Sequence, residues 1–248
     1  MTRSTTRPRL RFHEYGDSGV LVDVVAPSYA ERWEAAQALA DSLVADPPHG
    51  FLDVVGSFEH VFVSFDPLVT DRAGVTESFD RRLQTGSRRR RRRFRVPVVY
   101  GGASGPDLDE VADELGMTTP RLVRLHCSRP WVVRFCGSPA GAPLMDGPDL
   151  PAPVARCRHP RTRVPSGSVA LSGKQCVIYP VNSPGGWRLI GRTPLNLLEL
   201  ENETLVRYRP GDLIQFMPIQ ESEWEALAGR VLGQLDRPAD VSSASRRV

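Results

Sequence analysis

The chain has 248 residues, 40% of them hydrophobic and 25% charged, with a formal net charge of +3. That length fits one large or two modest globular domains, and so small a positive excess gives no ground for a nucleic-acid-binding protein. The longest apolar runs fall far short of the ~20 residues that span a bilayer. The N-terminal MTRSTTRPRLRFHE carries arginines with no apolar stretch behind them, and the four cysteines lack CxxC spacing. These features predict a reduced, cytoplasmic protein without membrane contact or a metal site.

In chain order, Leu10–Glu14 and Val20–Val24 flank the turn YGDSG and read as a hairpin. Ser28-Tyr-Ala-Glu31 forms a capping box. Trp33, Ala36, Ala40, Leu43 and Val44 follow at helical spacing. Phe51–Val55 and Val61–Phe65 read as strands, and Val75, Phe79 and Leu83 suggest one closing helix. The order ββαββα predicts a small α+β lobe over residues 9–87. Arg88–Arg93 are six consecutive arginines. Like charges in a row cannot pack, so residues 88–95 are expected to be a solvated linker.

A second domain is expected over residues 96–220. Asp107 and Glu110 read as the capping box of one helix, and Thr119-Pro120 as the start of another. Trp131–Cys136, Val164–Leu171, Val177–Val181, Trp187–Ile190, Leu195–Leu200 and Leu213–Pro218 then read as short strands between Gly/Pro turns, a barrel pattern. Residues 221–248 are expected to hold one helix and a disordered tail.

The chemistry concentrates in HPRTRVPSGSVALSGKQCVIYPVNSPGGWRLIGRTP, from His159 to Pro194. Lys174, between Gly173 and Gln175, is the chain's only lysine. Its compact charge suits a carboxylate or phosphate. His159 and Arg161 form a candidate anion clamp, with the guanidinium supplying bidentate geometry. Lys174, Arg161 and His159 are therefore the candidate catalytic groups. Ser166 and Ser168, around Gly167, either donate to an oxyanion or shape a tight turn. Gly185 and Gly186 allow close backbone approach. Trp187 is either a pocket wall or core, and Arg192, beside Thr193, either an anion ligand or the partner of an acid such as Asp107. Gln175, Thr193 and Asp107 complete the candidate binding set. No serine-hydrolase elbow, Walker loop or HExxH motif occurs, so this chain alone offers no nucleotide or cofactor site.

VPSGSVALSGKQ, SPGGWRLIGRTP and RPGDLIQFMPI, with the upstream YGGASGPD, resemble the family that contains the B-type subunit of prokaryotic 5-oxoprolinase and subunit 1 of allophanate hydrolase. The same domain occurs in urea carboxylase and in a bacterial inhibitor of a sporulation histidine kinase. The resemblance covers roughly residues 9 to 219. It implies a ferredoxin-like N-terminal lobe followed by a cyclophilin-like β-barrel. It also implies a component of an ATP-dependent hydrolase that opens a lactam, 5-oxoproline, with a C-type partner and an A-type subunit as a further partner. Two other functions fit the family: a stand-alone enzyme on a lactam, ureido or other carbonyl substrate, and a kinase-inhibiting binding module. The chain departs from the pattern at Cys136–Leu144 (CGSPAGAPL), where relatives carry Gly-Phe-x-Pro-Gly-Phe, and at Gln175-Cys176-Val177, where they carry Gln-Thr-Gly. Loss of two aromatic rings there would reshape any pocket they line.

Overall fold

β1 (Arg9–Glu14) and β2 (Gly19–Val25) pair as a hairpin, and the period-2 pattern of β2 places Val20, Val22 and Val24 buried on one face. The computed structural model describes residues 7–77, 79–85, 90–202 and 204–233. The described chain divides into two compact units, broken between Arg90 and Arg91.

In the first unit the capping box forms as expected: Ser28 Oγ accepts the Glu31 N–H, and Glu31 reaches back to the Ser28 N–H. It starts α1 (Tyr29–Ala45), whose inner stripe is Trp33, Ala36, Leu39, Ala40 and Leu43. Val44, expected on that stripe, is exposed, and Leu39 takes its place. β3 (Phe51–Gly56) and β4 (His60–Phe65) complete an antiparallel sheet of order β1-β2-β4-β3. Val61, Val63 and Phe65 meet the α1 stripe in the core. The single closing helix is instead two short ones, α2 (Arg72–Thr76) and α3 (Phe79–Thr85), with Val75 and Phe79 both buried. Gly86–Arg89, which include the first two residues of the expected linker, lie outside the described residues.

The second unit corrects the other end of that linker. β5 (Arg93–Tyr100) starts three residues before Val96, and Arg92, though exposed, is anchored. Its guanidinium donates to Asp212 Oδ2 at 2.6 and 3.1 Å, and its N–H to Asp212 Oδ1 at 3.0 Å. Asp212 is 1% exposed while the Arg92 side chain stays 45% exposed, so the arginine run is broken by an ion pair to a buried carboxylate that composition could not reveal. Two helices follow, α4 (Leu108–Glu114) and α5 (Thr119–His126), and then β6 (Trp131–Gly137). CGSPAGAPL forms the end of β6, the hairpin turn and the start of β7 (Ala142–Asp146).

The expected strand Val164–Leu171 is split at Pro165–Gly167 into β8 (Arg161–Val164) and β9 (Ser168–Ser172). Next come β10 (Gln175–Ile178), β11 (Ser183–Gly185), β12 (Arg188–Arg192) and β13 (Leu213–Pro218). Seven strands close the barrel in the order β10-β7-β6-β13-β5-β12-β9, while β8 and β11 form a separate pair. All the barrel pairings are antiparallel except β13–β5. Leu195–Leu200 is not a ladder strand: Leu195 and Leu197 are buried, but its strand pairing is limited to isolated bridges at Asn196 and Leu198. Val96, Val98, Trp131, Val133, Met145, Val169, Leu171, Ile190, Ile214 and Phe216 fill the interior. The chain after β13 makes a 3-10 turn (Glu221–Glu223) and α6 (Trp224–Leu227). It then returns to the barrel, where Leu232 is fully buried. The second unit therefore extends past residue 220 into the segment expected to hold a C-terminal helix, and the expected disordered tail lies outside the described residues.

Candidate functional site: an arginine-lined cleft on the barrel unit

Gly105 begins the site. A Cβ there would lie 2.1 Å from the Ile190 carbonyl oxygen, so only glycine lets this turn lie against β12. The close approach brings Asp107 onto the strand, where its N–H donates to Leu189 O at 3.0 Å and its Oδ2 accepts the Leu189 N–H at 2.7 Å. The expected capping box therefore does not form: Asp107 precedes α4 but caps nothing with its side chain. Its Oδ1 accepts from Arg161 Nη2 at 2.7 Å, across 54 residues of sequence.

Arg161 is doubly held, since Nη1 also donates to Cys157 Sγ at 3.1 Å. The bond to Asp107 raises its pKa above the ordinary value, against a smaller opposing effect of burial. Arg188 Nη2 donates to Glu110 Oε2 at 2.6 Å. Burial works against the Arg188 charge, but Glu110, Cys157 and Asp107 more than offset it and hold its pKa up. The segment between is pinned by its backbone: the Ala155 N–H donates to Glu114 Oε1 at 2.7 Å and the Cys157 N–H to Gly186 O at 2.8 Å.

These groups line an open cleft of about 600 Å³, shared with Arg156, Arg158 and His159. The last three are exposed. Among the described residues none of them has a carboxylate partner. Arg156 nevertheless has a seat: a Cβ on residue 186 would stand 3.2 Å from its Nη2, so Gly186 leaves the space that the guanidinium occupies. Chemically, the cleft offers cationic N–H donors to an anion. Among the described residues that line it, there is no nucleophile paired with a base.

Of the residues singled out in the sequence, the structure brings together Asp107, Arg161, His159 and Gly186. Lys174 is elsewhere. Its Nζ donates to Asp149 Oδ1 at 2.8 Å in an ion pair whose side chains are 52% and 80% exposed. Gln175 Nε2 donates to Asp146 at 3.2 Å on the same edge. Ser166, Gly167, Ser168, Arg192 and Thr193 form a structural turn. Ser166 Oγ donates to Pro180 O at 2.8 Å, Arg192 Nε to Ser166 O at 2.8 Å, and the Thr193 N–H to Gly167 O at 2.9 Å. Gly167 has φ +82°, and a Cβ there would meet Thr193 O at 2.4 Å; Ser168 and Thr193 are buried. Gly185 leaves room for the Tyr179 hydroxyl, 2.4 Å from where its Cβ would be. Trp187 packs half-buried against a small cluster that includes Val164, Ala170, Tyr179 and Leu189.

Sequence reading missed Arg156, Arg158, Cys157, Glu110 and Arg188 as site groups. A signal was present in ARCRHPRTR, with four arginines in eight residues from Arg156 to Arg163. Arg188 and Glu110 gave none, because strand and helix meet only in three dimensions.

A closed barrel with a charged cleft on its wall, joined in sequence to an α+β unit, is the build of a carboxyltransferase-type domain. The chain belongs to the carboxyltransferase domain family, subdomain C and D, which matches residues 10–206. It is 28% identical over 231 residues to the B-type subunit of 5-oxoprolinase from Bacillus subtilis, a match covering 88% of this chain and 96% of that protein. It is 42% identical over 126 residues to the corresponding 5-oxoprolinase subunit of Escherichia coli O157:H7, covering 51% of this chain and 58% of that protein. Among solved structures, TTHA0988 superposes with a TM-score of 0.71 at 32% identity, covering 82% of this chain and 40% of that one.

Proposed function

We propose that this chain is the B-type subunit of an ATP-dependent 5-oxoprolinase-type amidohydrolase, opening the lactam of 5-oxoproline to glutamate with a C-type partner and an A-type subunit. The observation that carries this reading is the correspondence over 96% of the length of a relative that bears the name of the B-type 5-oxoprolinase subunit. The chemistry agrees with a divided enzyme. A five-membered lactam is an amide with little strain, so ring opening is coupled to an energy source. Transfer of a phosphoryl group from ATP to the lactam oxygen would make it a leaving group. Water then adds to the carbonyl carbon, the C–N bond breaks with the amine taking a proton to leave an acyl phosphate, and a second water cleaves that acyl phosphate to the carboxylate and inorganic phosphate. The sequence has no Walker loop, and the cleft has no nucleophile–base pair among the described residues, so phosphoryl transfer falls to the assembled subunits. This chain contributes cationic donors.

The test is ATP-dependent release of glutamate from 5-oxoproline. Turnover is expected when the chain is combined with its C-type and A-type partners, and none from the chain alone. Turnover by the purified chain, or none from any combination, would overturn the reading.

A further inference from the structure

We propose that the cleft beside Asp107 is a monocarboxylate subsite, with Arg156 and Arg158 as its carboxylate ligands and the Asp107–Arg161 pair as its floor. This deepens the proposed function and rests on it for the identity of the substrate, but the subsite itself stands on geometry. Two of the cleft's arginines are already neutralised: Arg161 by Asp107 at 2.7 Å and Arg188 by Glu110 at 2.6 Å. Glu114 is engaged by the Ala155 N–H. Arg156 and Arg158 line the same cleft and have no carboxylate partner among the described residues.

Arg156 is seated over Gly186, with its Nη2 at 3.2 Å and its Nε at 3.4 Å from where a Cβ would stand. It needs no acid to hold it there. The segment that carries both residues is tied at each end, by Glu114 to the Ala155 N–H and by Asp107 to Arg161. An unpaired guanidinium on an anchored backbone is pre-organised for an incoming carboxylate, which matches its planar fork.

The charge balance selects the ligand. Four arginines face three carboxylates in the lining, leaving one net positive charge with His159 neutral. That suits a small monoanion. A nucleoside triphosphate, with several negative charges, would bring its phosphates against Glu110 and Glu114, and like charges at that range are unfavourable. The volume of about 600 Å³ is ample for a compound of 5-oxoproline's size.

Calorimetric titration of the full-length chain with 5-oxoproline, with its uncharged carboxamide and with pyruvate tests the assignment. 5-Oxoproline is expected to bind, the carboxamide not to bind, and Arg156→Gln and Arg158→Gln each to weaken binding by roughly tenfold to a hundredfold. Arg163→Gln, which removes the same charge from outside the cleft, should leave binding unchanged. Both cleft residues are exposed and unpaired, so circular dichroism should show all three variants folded. Binding of pyruvate but not 5-oxoproline, lost in the same two variants, would uphold the subsite and overturn the ring-opening reading. Binding of 5-oxoproline at wild-type strength in both cleft variants would overturn the subsite and leave that reading standing. Failure of both carboxylates to bind, or equal binding of the carboxamide, would also overturn the subsite.

Discussion

Asp107 and Arg161 form a 2.7 Å ion pair whose carboxylate is 8% exposed and whose guanidinium is 31% exposed. The same carboxylate accepts the Leu189 N–H at 2.7 Å, so one side chain ties the start of α4 to β8 and β12. Asp107→Ala strands both donors and should lower stability by about 1–3 kcal/mol in urea denaturation. Arg161→Met leaves a nearly buried carboxylate unpaired and should cost at least as much. Asp107→Asn keeps an acceptor for Leu189 and should fall between wild type and Asp107→Ala. Wild-type midpoints in all three would show that the pair does not hold the cleft together.

Lys174→Met should do almost nothing. The lysine stands out in the sequence, but its partner Asp149 is a solvated surface acid, and exposed pairs of this kind contribute little. Lys174 lowers the pKa of Asp149 through their hydrogen bond. That effect reaches no other site group. The melting temperature and carboxylate binding are both expected to match wild type. A large loss of binding would return Lys174 to the site.

His126 sits inside the barrel between Trp131 and Phe216, with ring centroids at 5.0 and 4.5 Å. Tyr100 Oη lies 2.8 Å from its Nδ1, and Cys176 Sγ 3.4 Å from its Nε2. Burial pushes the Tyr100 pKa well up, so the phenol keeps its proton. Its hydroxyl also lies 3.3 Å from Cys127 Sγ. Burial lowers the His126 pKa to about 3. The unfolded chain takes up this proton near pH 6.5 and the folded chain does not. The stability that the neutral ring supports is therefore fully present above pH ~6.5 and is lost as pH falls toward 3, by up to about 1.4 kcal/mol per pH unit. His126→Phe should remove one proton's worth of that slope in urea midpoints measured from pH 7 to 4. An unchanged slope would mean that His126 titrates normally.

Gly105→Ala should loosen the cleft without touching a charged residue. The added methyl would stand 2.1 Å from Ile190 O and 2.7 Å from Gly191 N, both backbone atoms of β12 that cannot turn aside. The turn must back away and carry Asp107 off Leu189, at a cost of roughly 1–3 kcal/mol. Hydrogen exchange should report faster exchange at the Leu189 amide than in the wild type. Equal protection there would refute the steric argument.

The sequence made β2, β4, α1 and β13 legible because each buries one face, and that face shows in the spacing of its apolar residues; β1 was legible from the turn that joins it to β2, and α5 from Thr119-Pro120 at its start. β7 and β11 were hidden. Ala142–Asp146 looked like a loop because it lies among Gly, Pro and Ala residues, while its strand character comes from pairing with β6 and β10. At the site, the segment Arg156–Arg161 was partly visible as a run of bases. Which of those bases stays unpaired was not, because that depends on where Asp107 and Glu110 are carried by α4. The pairing of Lys174 was hidden for the same reason: rarity in the sequence carries no information about an acid partner 25 residues away.

The parallel pairing of β13 with β5 also bears on how the chain is made. Arg92 and Asp212, which latch this seam, are 120 residues apart, and β13 is the strand that joins β5 to β6. Until β13 leaves the ribosome, both neighbours present open edges, and closing so long a loop is slow compared with forming local hairpins. The first unit has every strand within its first 65 residues and can fold early. Messages truncated between the end of β12 and Leu213 would therefore yield a folded N-terminal unit trailing an unsealed sheet, a form prone to aggregation and proteolysis.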